Sequence, residues 1–160
     1  MKVVIIGGDA AGMSAAMEMV RSEVDVNITV LEKGDIYSYG QCGLPYVIDG
    51  TIADTDELIA KSVEAFREKG IDARTRHEVT YVDIDEQLVE GTDGHTGESF
   101  SIPYDKLLIA SGASPTMPRW NNKQLDGIHT IKTIPQMEAL LADLEGKQHV
   151  TVVGAGYIAL

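Results

Sequence analysis

Six residues near the amino terminus have the spacing of a phosphate-binding turn. They read Gly-Gly-Asp-Ala-Ala-Gly at positions 7–12, directly after a short β-branched run. Glycine lets the chain turn sharply there and lets the next helix approach a pyrophosphate. Glu32 follows Gly12 by twenty residues, where a carboxylate can accept hydrogen bonds from the ribose of an adenine dinucleotide. The alternative is a glycine-rich loop in another α/β protein, but the order strand, turn, helix, strand and acid favours the cofactor site.

Cys42 is the one cysteine of the chain and its best candidate for redox chemistry. It lies in the segment Tyr-Gly-Gln-Cys-Gly-Leu-Pro-Tyr at 39–46, and we predict that a helix begins near it. Unpaired N–H groups and the positive end of a helix dipole both favour the nucleophilic thiolate. A free cysteine can instead be a buried, inert packing residue. The glycine-flanked setting, downstream of a dinucleotide-binding unit, favours the redox interpretation.

A second glycine turn begins near the carboxyl terminus. The sequence Gly-Ala-Gly-Tyr-Ile-Ala at 154–159 has the fingerprint spacing, with Gly154 and Gly156 as its glycines and a predicted strand at 150–153 before it. Two such turns are typical of a flavin enzyme that accepts hydride from a nicotinamide. Because the sequence ends at Leu160, we expect no complete second unit and no nicotinamide binding by this chain, and we interpret the chain as truncated.

The order of elements predicts an α/β fold with a parallel sheet and a crossover helix. Strands at 3–6 and 27–31 enclose a helix at 10–20, and a buried strand at 106–110 follows later. Alternating apolar residues from 79 to 102, split by a turn, indicate a small antiparallel excursion. Ser62 and Thr133 are predicted to cap two further helices, at 63–69 and 135–145.

Composition excludes some classes of partner. The chain has 25 acidic against 13 basic residues, a formal net charge of -12, which repels nucleic acid and anionic membranes. A single cysteine rules out an internal disulfide framework and fits a reducing cytoplasm. We find no apolar run long enough for a signal peptide or a membrane span, and the four histidines have no ligand spacing. We expect a cytoplasmic protein without a metal site.

Four segments in order resemble the single-cysteine branch of the pyridine nucleotide-disulfide oxidoreductases. They are the turn at 7–12, the cysteine segment at 38–46, Tyr-Asp-Lys-Leu-Leu-Ile-Ala-Ser-Gly-Ala at 104–113, and the second glycine turn. The resemblance covers the whole chain, and the cysteine segment is its most specific part. Coenzyme A-disulfide reductases are the nearest members, with NADH oxidases and persulfide reductases close to them.

The resemblance implies a role for individual residues. The positions that would hold FAD are Gly7, Gly8, Asp9, Ala10, Ala11, Gly12, Glu32, Lys33, Val79, Ala110, Ser111 and Gly112. The positions that would hold coenzyme A are Ser14, Glu18, Arg21, Ser38 and Gln41. Asp9 stands where the turn usually has glycine, and Gln41 where the family usually has asparagine.

The function implied is reduction of coenzyme A disulfide or a related small disulfide, with FAD as cofactor and NADH or NADPH as electron donor. Cys42 would be the redox-active thiol; in an NADH oxidase it would cycle through a sulfenic acid. We expect residues 1–112 to form the first segment of an FAD-binding domain, 113–148 a connection and helix, and 149–160 the start of an NAD(P)-binding domain. The parent enzyme is expected to be a homodimer. The 160-residue chain would then be almost inactive alone, or a non-catalytic FAD-binding fragment.

Overall fold

A computed structural model describes residues 1–154 and 156. The chain divides into two compact units. The sheet unit consists of Met1–Tyr39 and Ile59–Gly112, and the cysteine unit of Gly40–Leu58 and Ala113–Leu160.

The sheet unit contains a four-stranded parallel sheet. Its strands are β1 (Lys2–Ile6), β2 (Asn27–Leu31), β3 (Asp72–Arg74) and β7 (Lys106–Ile109), in the order β3-β2-β1-β7. Helix α1 (Ala10–Arg21) connects β1 to β2, as the sequence predicts. Strand β3 was not predicted, because three residues are too few to show a period.

A short helix and a second sheet complete the sheet unit. Helix α3 (Val63–Arg67) begins after Ser62, whose hydroxyl accepts a hydrogen bond from the N–H of Ala65 at 3.3 Å. The predicted antiparallel excursion is confirmed as β4 (His77–Asp83), β5 (Leu88–Asp93) and β6 (Ser99–Pro103), paired in that order. A register shift between Val79 and Tyr81 marks a bulge in β4.

Strand β1 is covered on both faces. Val3 and Ile5 belong to one apolar cluster, with Met13 of α1 and Phe66 of α3. Val4 belongs to a second cluster, formed with residues of β2, β5 and the turn before β7. Burial on both sides explains why β1 is a continuous apolar run rather than an alternating one.

The cysteine unit is built from short helices. They are a 3₁₀ turn (Gln41–Gly43), α2 (Leu44–Ile48), a second 3₁₀ turn (Thr55–Leu58) and α4 (Ile134–Leu144). Among the described residues of this unit, the buried side chains are Leu44, Leu58, Ile134 and Met137, and α2 contacts α4. The helix predicted after Thr133 is confirmed as α4, one residue earlier than expected.

The strand predicted at 150–153 is wrong for the described part of the chain. Residues 150–154 have no regular structure, and Val150, Val152 and Val153 are more than half exposed. A strand exists only where its N–H and C=O groups pair with a neighbour. None of the described strands pairs with this run.

Candidate functional site

The carboxyl ends of three neighbouring strands place the glycine turn. Gly7 follows β1, and its N–H donates to the carbonyl of Leu31 at the end of β2, at 2.9 Å. On the other side, the N–H of Ala110 donates to the carbonyl of Ile6 at 2.8 Å. The structure therefore brings the 7–12 turn, Glu32 and Ala110 to one edge of the sheet. In open α/β sheets this is the edge at which ligands bind.

Close packing requires glycine at both ends of the turn. A Cβ on Gly7 would lie 2.2 Å from the carbonyl oxygen of Ala110, and Gly7 has a φ of +111°, which favours glycine. A Cβ on Gly12 would lie 2.0 Å from the carbonyl oxygen of Gly7. The absence of a side chain at Gly12 therefore lets the first turn of α1 pack closely against the backbone of Gly7.

Glu32 fixes the turn through both of its carboxylate oxygens. Oε2 accepts a hydrogen bond from the N–H of Gly8 at 2.8 Å, and Oε1 accepts one from the N–H of Gly34 at 2.8 Å. An ionised carboxylate offers about four acceptor positions, so these two bonds leave capacity for ribose hydroxyls. The half-buried Glu32 fits the acid that a dinucleotide site needs.

The first turn of α1 fits an anion. It contains no acidic side chain, and Ala10 and Ala11 are exposed. Asp9 is the N-cap residue with extended backbone, and its carbonyl accepts the N–H of Met13 at 2.9 Å. The N–H groups of the first turn and the positive helix end can approach a pyrophosphate, with the Asp9 carboxylate as the one unfavourable charge at this position.

The other predicted cofactor positions lie around this edge. Lys33, next to Glu32, is exposed, as are Ser111 and Gly112 after β7. Val79 is half-buried and packs against the apolar cluster that contains Leu31. Strand β4 meets the end of β2 directly, because the N–H of His77 donates to the carbonyl of Glu32 at 2.9 Å.

Tyr37 supports the turn and was missed by sequence reasoning. A Cβ on Gly8 would lie 2.6 Å from the Tyr37 ring, so the ring occupies the space beside Gly8. The hydroxyl is within hydrogen-bonding distance of the carbonyls of Val30, at 3.0 Å, and Arg74, at 2.8 Å. Burial raises the pKa of the Tyr37 hydroxyl above its ordinary value. No signal in the sequence separates this tyrosine from the other five.

Ser38 is held in an unusual backbone conformation. Its φ is +48°, in the left-handed region that few residues other than glycine adopt. The N–H of Ser38 donates to the carbonyl of Gly8 at 2.9 Å, and its carbonyl accepts the N–H of Ala60 at 2.8 Å. This predicted substrate residue is therefore tied to the glycine turn.

Three predicted coenzyme A positions share one face of α1. Ser14, Glu18 and Arg21 are spaced four and three residues apart and are all exposed. The Arg21 guanidinium donates to the Glu18 carboxylate at 2.6 Å. Arg21, one of the predicted coenzyme A positions, is thus paired with a neighbour on its own helix.

Cys42 lies in the cysteine unit and is exposed. The predicted helix begins at Leu44, two residues later than the thiol, and is five residues long. Cys42 itself is in the 3₁₀ turn, which the N–H of Gly43 closes on the carbonyl of Gly40 at 2.9 Å. Proline is favoured at the start of a helix, and Pro45 in the first turn of α2 explains the later beginning.

The second glycine turn is only partly described. Gly154 has a φ of +121°, and Gly156 is exposed. Ala155 and residues 157–160 lie outside the described residues, so the predicted turn is not tested.

Two further properties concern the described part of the chain. Within it, no helix is both long enough and apolar enough to cross a membrane. No group of three or more His, Cys, Asp or Glu residues within 1–154 and 156 is arranged to hold a metal ion.

The parallel sheet, the glycine turn and the acid after β2 together define a Rossmann-type dinucleotide-binding fold. The chain belongs to the pyridine nucleotide-disulphide oxidoreductase family, whose model matches residues 1–160.

Named relatives agree with this assignment. An NADH oxidase of Methanocaldococcus jannaschii is 37% identical over 100% of this chain and 36% of its own length. A coenzyme A disulfide reductase of Staphylococcus haemolyticus is 31% identical over 99% of this chain and 36% of its own. The solved water-forming NADH oxidase from Lactobacillus brevis, bound to NADH, has a TM-score of 0.94 and 30% identity, over 99% of this chain and 35% of its own. The chain thus spans about 36% of the length of the curated relatives it matches.

Proposed function

We propose that the chain is the FAD-binding part of an NAD(P)H-linked reductase of coenzyme A disulfide or a related small disulfide, with Cys42 as its redox-active thiol. The observation that carries the proposal is an exposed lone thiol in a chain whose strand ends bring together a glycine turn and the Glu32 carboxylate, the features that a dinucleotide site needs. The relative named coenzyme A disulfide reductase supports the substrate class.

FAD would be held by the edge of the parallel sheet. The first turn of α1 would face the pyrophosphate, and Glu32 would accept hydrogen bonds from the ribose. Lys33, Val79 and the Ala110–Gly112 segment would complete the site. When bound, FAD supplies the electron pair that reduces a disulfide to two thiols.

Cys42 would form a covalent bond with the substrate. Its thiolate attacks one sulfur of the disulfide, the S–S bond breaks, and one coenzyme A thiolate leaves. The product is a mixed disulfide between Cys42 and the second coenzyme A. With a single cysteine in the chain, no internal thiol of this chain can displace that second half, so its release requires an external electron pair.

NADH or NADPH would be the source of electrons in the parent protein, whose NAD(P)-binding domain would begin with the second glycine turn around Gly154 and Gly156. We further propose a cytoplasmic location, where Cys42 stays reduced, and a homodimeric parent protein.

A second candidate is an NADH oxidase. The 37%-identical relative carries that name, and an exposed thiol such as Cys42 can be oxidised to a sulfenic acid. Coenzyme A disulfide would then not be a substrate.

The test of the proposed function uses the purified parent protein, first supplied with FAD and then with NADH or NADPH. We expect bound flavin in the visible spectrum, and consumption of the reduced nicotinamide only when coenzyme A disulfide is present. Cys42→Ser should bind FAD equally and lose at least about a hundredfold in rate, because the nucleophile is absent. Ser114→Ala, at an exposed position of the connection, is the matched control.

Other outcomes would assign other functions. Oxygen consumption with NADH alone, without any effect of the disulfide, would favour the oxidase. A protein that stays colourless after incubation with FAD, and whose Cys42 does not exchange with coenzyme A disulfide, would be a non-catalytic fragment.

A further inference from the structure

Three Asp-Gly pairs occur in the sequence, and each is a candidate for spontaneous rearrangement of the backbone. They lie at positions 49–50, 93–94 and 126–127. In such a pair the backbone nitrogen of the glycine can attack Cγ of the aspartate, because glycine has no side chain to block the approach. The sequence does not distinguish the three pairs in this respect, whereas the structure does.

The second of these pairs is held at both reacting groups. The Asp93 carboxylate accepts a hydrogen bond from the N–H of His95 at 2.8 Å, and the N–H of Gly94 donates to the carbonyl of Arg76 at 2.7 Å. Asp93 is also the last residue of β5, whose backbone is paired with β4. Both hydrogen bonds must open before the glycine nitrogen can reach the carboxyl carbon.

The first pair is held in the same way. Asp49 follows α2 directly as its C-cap residue. Its carboxylate accepts a hydrogen bond from the N–H of Thr51 at 2.8 Å, and the N–H of Gly50 donates to the carbonyl of Val47 at 3.2 Å. Here too, two hydrogen bonds oppose the reaction.

The same contacts keep these two carboxyl groups ionised. Hydrogen bonds from Thr51 lower the pKa of the Asp49 carboxyl, and the hydrogen bond from the backbone of His95 lowers the pKa of Asp93. A carboxylate is a poor electrophile because of its negative charge, whereas the protonated acid can lose its hydroxyl group as water. The contacts therefore disfavour the reactive form as well as the reactive geometry.

The third pair lies in an open turn of the connection before α4. Asp126 and Gly127 are both exposed. Gly127 has a φ of +83°, and beyond its chain neighbours no described atom lies within 4 Å of the point that a Cβ would occupy. In the part of the chain that the structure describes, no hydrogen bond involves the Asp126 carboxylate or the N–H of Gly127. Neither reacting group has to leave a contact of the fold before it reacts.

We propose that Asp126 is a modification site, at which the chain cyclises to a succinimide and reopens to isoaspartate. The nitrogen of Gly127 forms a bond to Cγ of Asp126, and the proton of that nitrogen leaves with the carboxyl hydroxyl group as one water. A second water then breaks one of the two C–N bonds of the imide. Breaking the bond at Cγ restores aspartate, and breaking the bond at the backbone carbonyl carbon gives isoaspartate. The reaction needs no oxidant, reductant or cofactor, so the inference is independent of the proposed function.

The modification would lengthen the backbone by one methylene group close to a contact of the cysteine unit. His129 is two residues after Gly127, and its Nε2 lies 2.7 Å from Oδ2 of Asp143 in α4. The site is thus next to the place where the connection meets α4.

The experiment measures isoaspartate at all three pairs in one incubation. The 160-residue chain is kept in mildly acidic buffer, with circular dichroism to verify that it is folded. It is then digested for mass spectrometry with electron-transfer fragmentation, which distinguishes isoaspartate from aspartate. Asp126 should convert at least about tenfold faster than Asp49 or Asp93, because two hydrogen bonds must open at each of the other sites. Equal rates at the three pairs in the folded chain would overturn the proposal.

The same incubation in concentrated urea tests whether the fold selects the site. Without the contacts that hold Asp49 and Asp93, the three pairs should convert at similar rates, since glycine follows the aspartate in each. If Asp126 kept its full advantage in urea, its neighbours in sequence would explain the selectivity, and the proposal would be wrong.

Two matched variants test the chemistry. Asp126→Glu keeps the charge but requires a larger ring for cyclisation, so it should remove most of the isoaspartate formed at the three pairs. Asp49→Glu, the same change at a held pair, should leave that amount almost unchanged. The proposal fails if Asp126→Glu leaves the amount of isoaspartate as high as Asp49→Glu does.

Discussion

At the scale of single residues, Gly8 shows how residues from other segments hold the glycine turn. The N–H of Gly8 donates to the Glu32 carboxylate, and its carbonyl accepts the N–H of Ser38. The Tyr37 ring occupies the space that a Cβ on Gly8 would need. The backbone of one glycine thus connects the predicted ribose acid with a predicted substrate residue. Any larger side chain at position 8 would have to displace Tyr37.

Tyr37 leads to a prediction about alkaline stability. Burial, with the nearby Glu32 carboxylate as a second cause, raises the pKa of its hydroxyl, whereas an unfolded tyrosine ionises near about pH 10. Above that pH the unfolded chain gains charge while the folded chain keeps its proton. The stability due to Tyr37 is therefore complete below about pH 10 and is lost as the pH rises further.

We expect Tyr37→Phe to lower the free energy of unfolding by about 1 kcal/mol at neutral pH, from the lost hydroxyl hydrogen bonds. Its unfolding free energy should fall less steeply than that of the unmodified chain above about pH 10. Urea titrations across this range measure both effects. Tyr81→Phe, at a tyrosine that is 55% exposed, is the control and should keep the original slope. Parallel curves for Tyr37→Phe and the unmodified chain would contradict the prediction.

At the scale of elements, the two helix caps predicted from the sequence, Ser62 and Thr133, differ in their hydrogen bonds. Ser62 caps α3 with a single side-chain hydrogen bond. Thr133 caps α4 with a complete box, in which the Gln136 side chain accepts the N–H of Thr133 in return. Because α4 also provides two of the buried side chains of the cysteine unit, its start is important for that unit.

We predict that Thr133→Ala lowers the free energy of unfolding of the cysteine unit by about 1 kcal/mol, as expected for a lost N-cap. Thr133→Ser keeps the capping oxygen and should retain most of the stability. Thr116→Ala, in an exposed stretch of the connection, should be neutral. Amide hydrogen exchange of α4 is the direct measurement, and unchanged protection in Thr133→Ala would show that the box is dispensable.

At the scale of the whole molecule, acidic residues dominate the charge. The formal net charge is -12, which destabilises the compact state by self-repulsion. The exposed ion pairs, such as Arg76–Asp35 and Arg74–Asp72, offset little of this, because exposed pairs contribute about 0–1 kcal/mol.

Added salt should therefore stabilise the protein. We expect the midpoint of thermal unfolding at pH 7 to rise by several degrees between about 0.01 and 0.15 M NaCl, because the Debye length falls from about 30 to about 8 Å over that range. A rise of this size corresponds to a gain of about 1 kcal/mol in the free energy of unfolding. An equal osmolality of a neutral osmolyte controls for effects other than screening. A midpoint that falls with NaCl would mean that specific ion pairs outweigh the general repulsion.

Local sequence determined much of the fold. The β-branched runs at β1 and β2, the alanine-rich α1 between them and the capping residues Ser62 and Thr133 each depend on neighbours close in the chain. The glycine turn could be read for the same reason, since its fingerprint encodes a local conformation. The apolar run at 150–153 predicted a strand that does not form. A strand needs a hydrogen-bonded partner, which its own sequence does not specify.

Tertiary structure decided which residues meet. Three contacts join segments that are separate in the sequence: Tyr37 with Gly8, Ala110 with Gly7, and Lys132 with Gln41. No single segment contains the information for them. At Cys42 the chain forms a 3₁₀ turn instead of the helix start that the sequence suggested, and α2 begins two residues later. Residue types and spacing thus identified the kind of chemistry, whereas the side chains that contact the turn and the cysteine segment followed only from the folded chain.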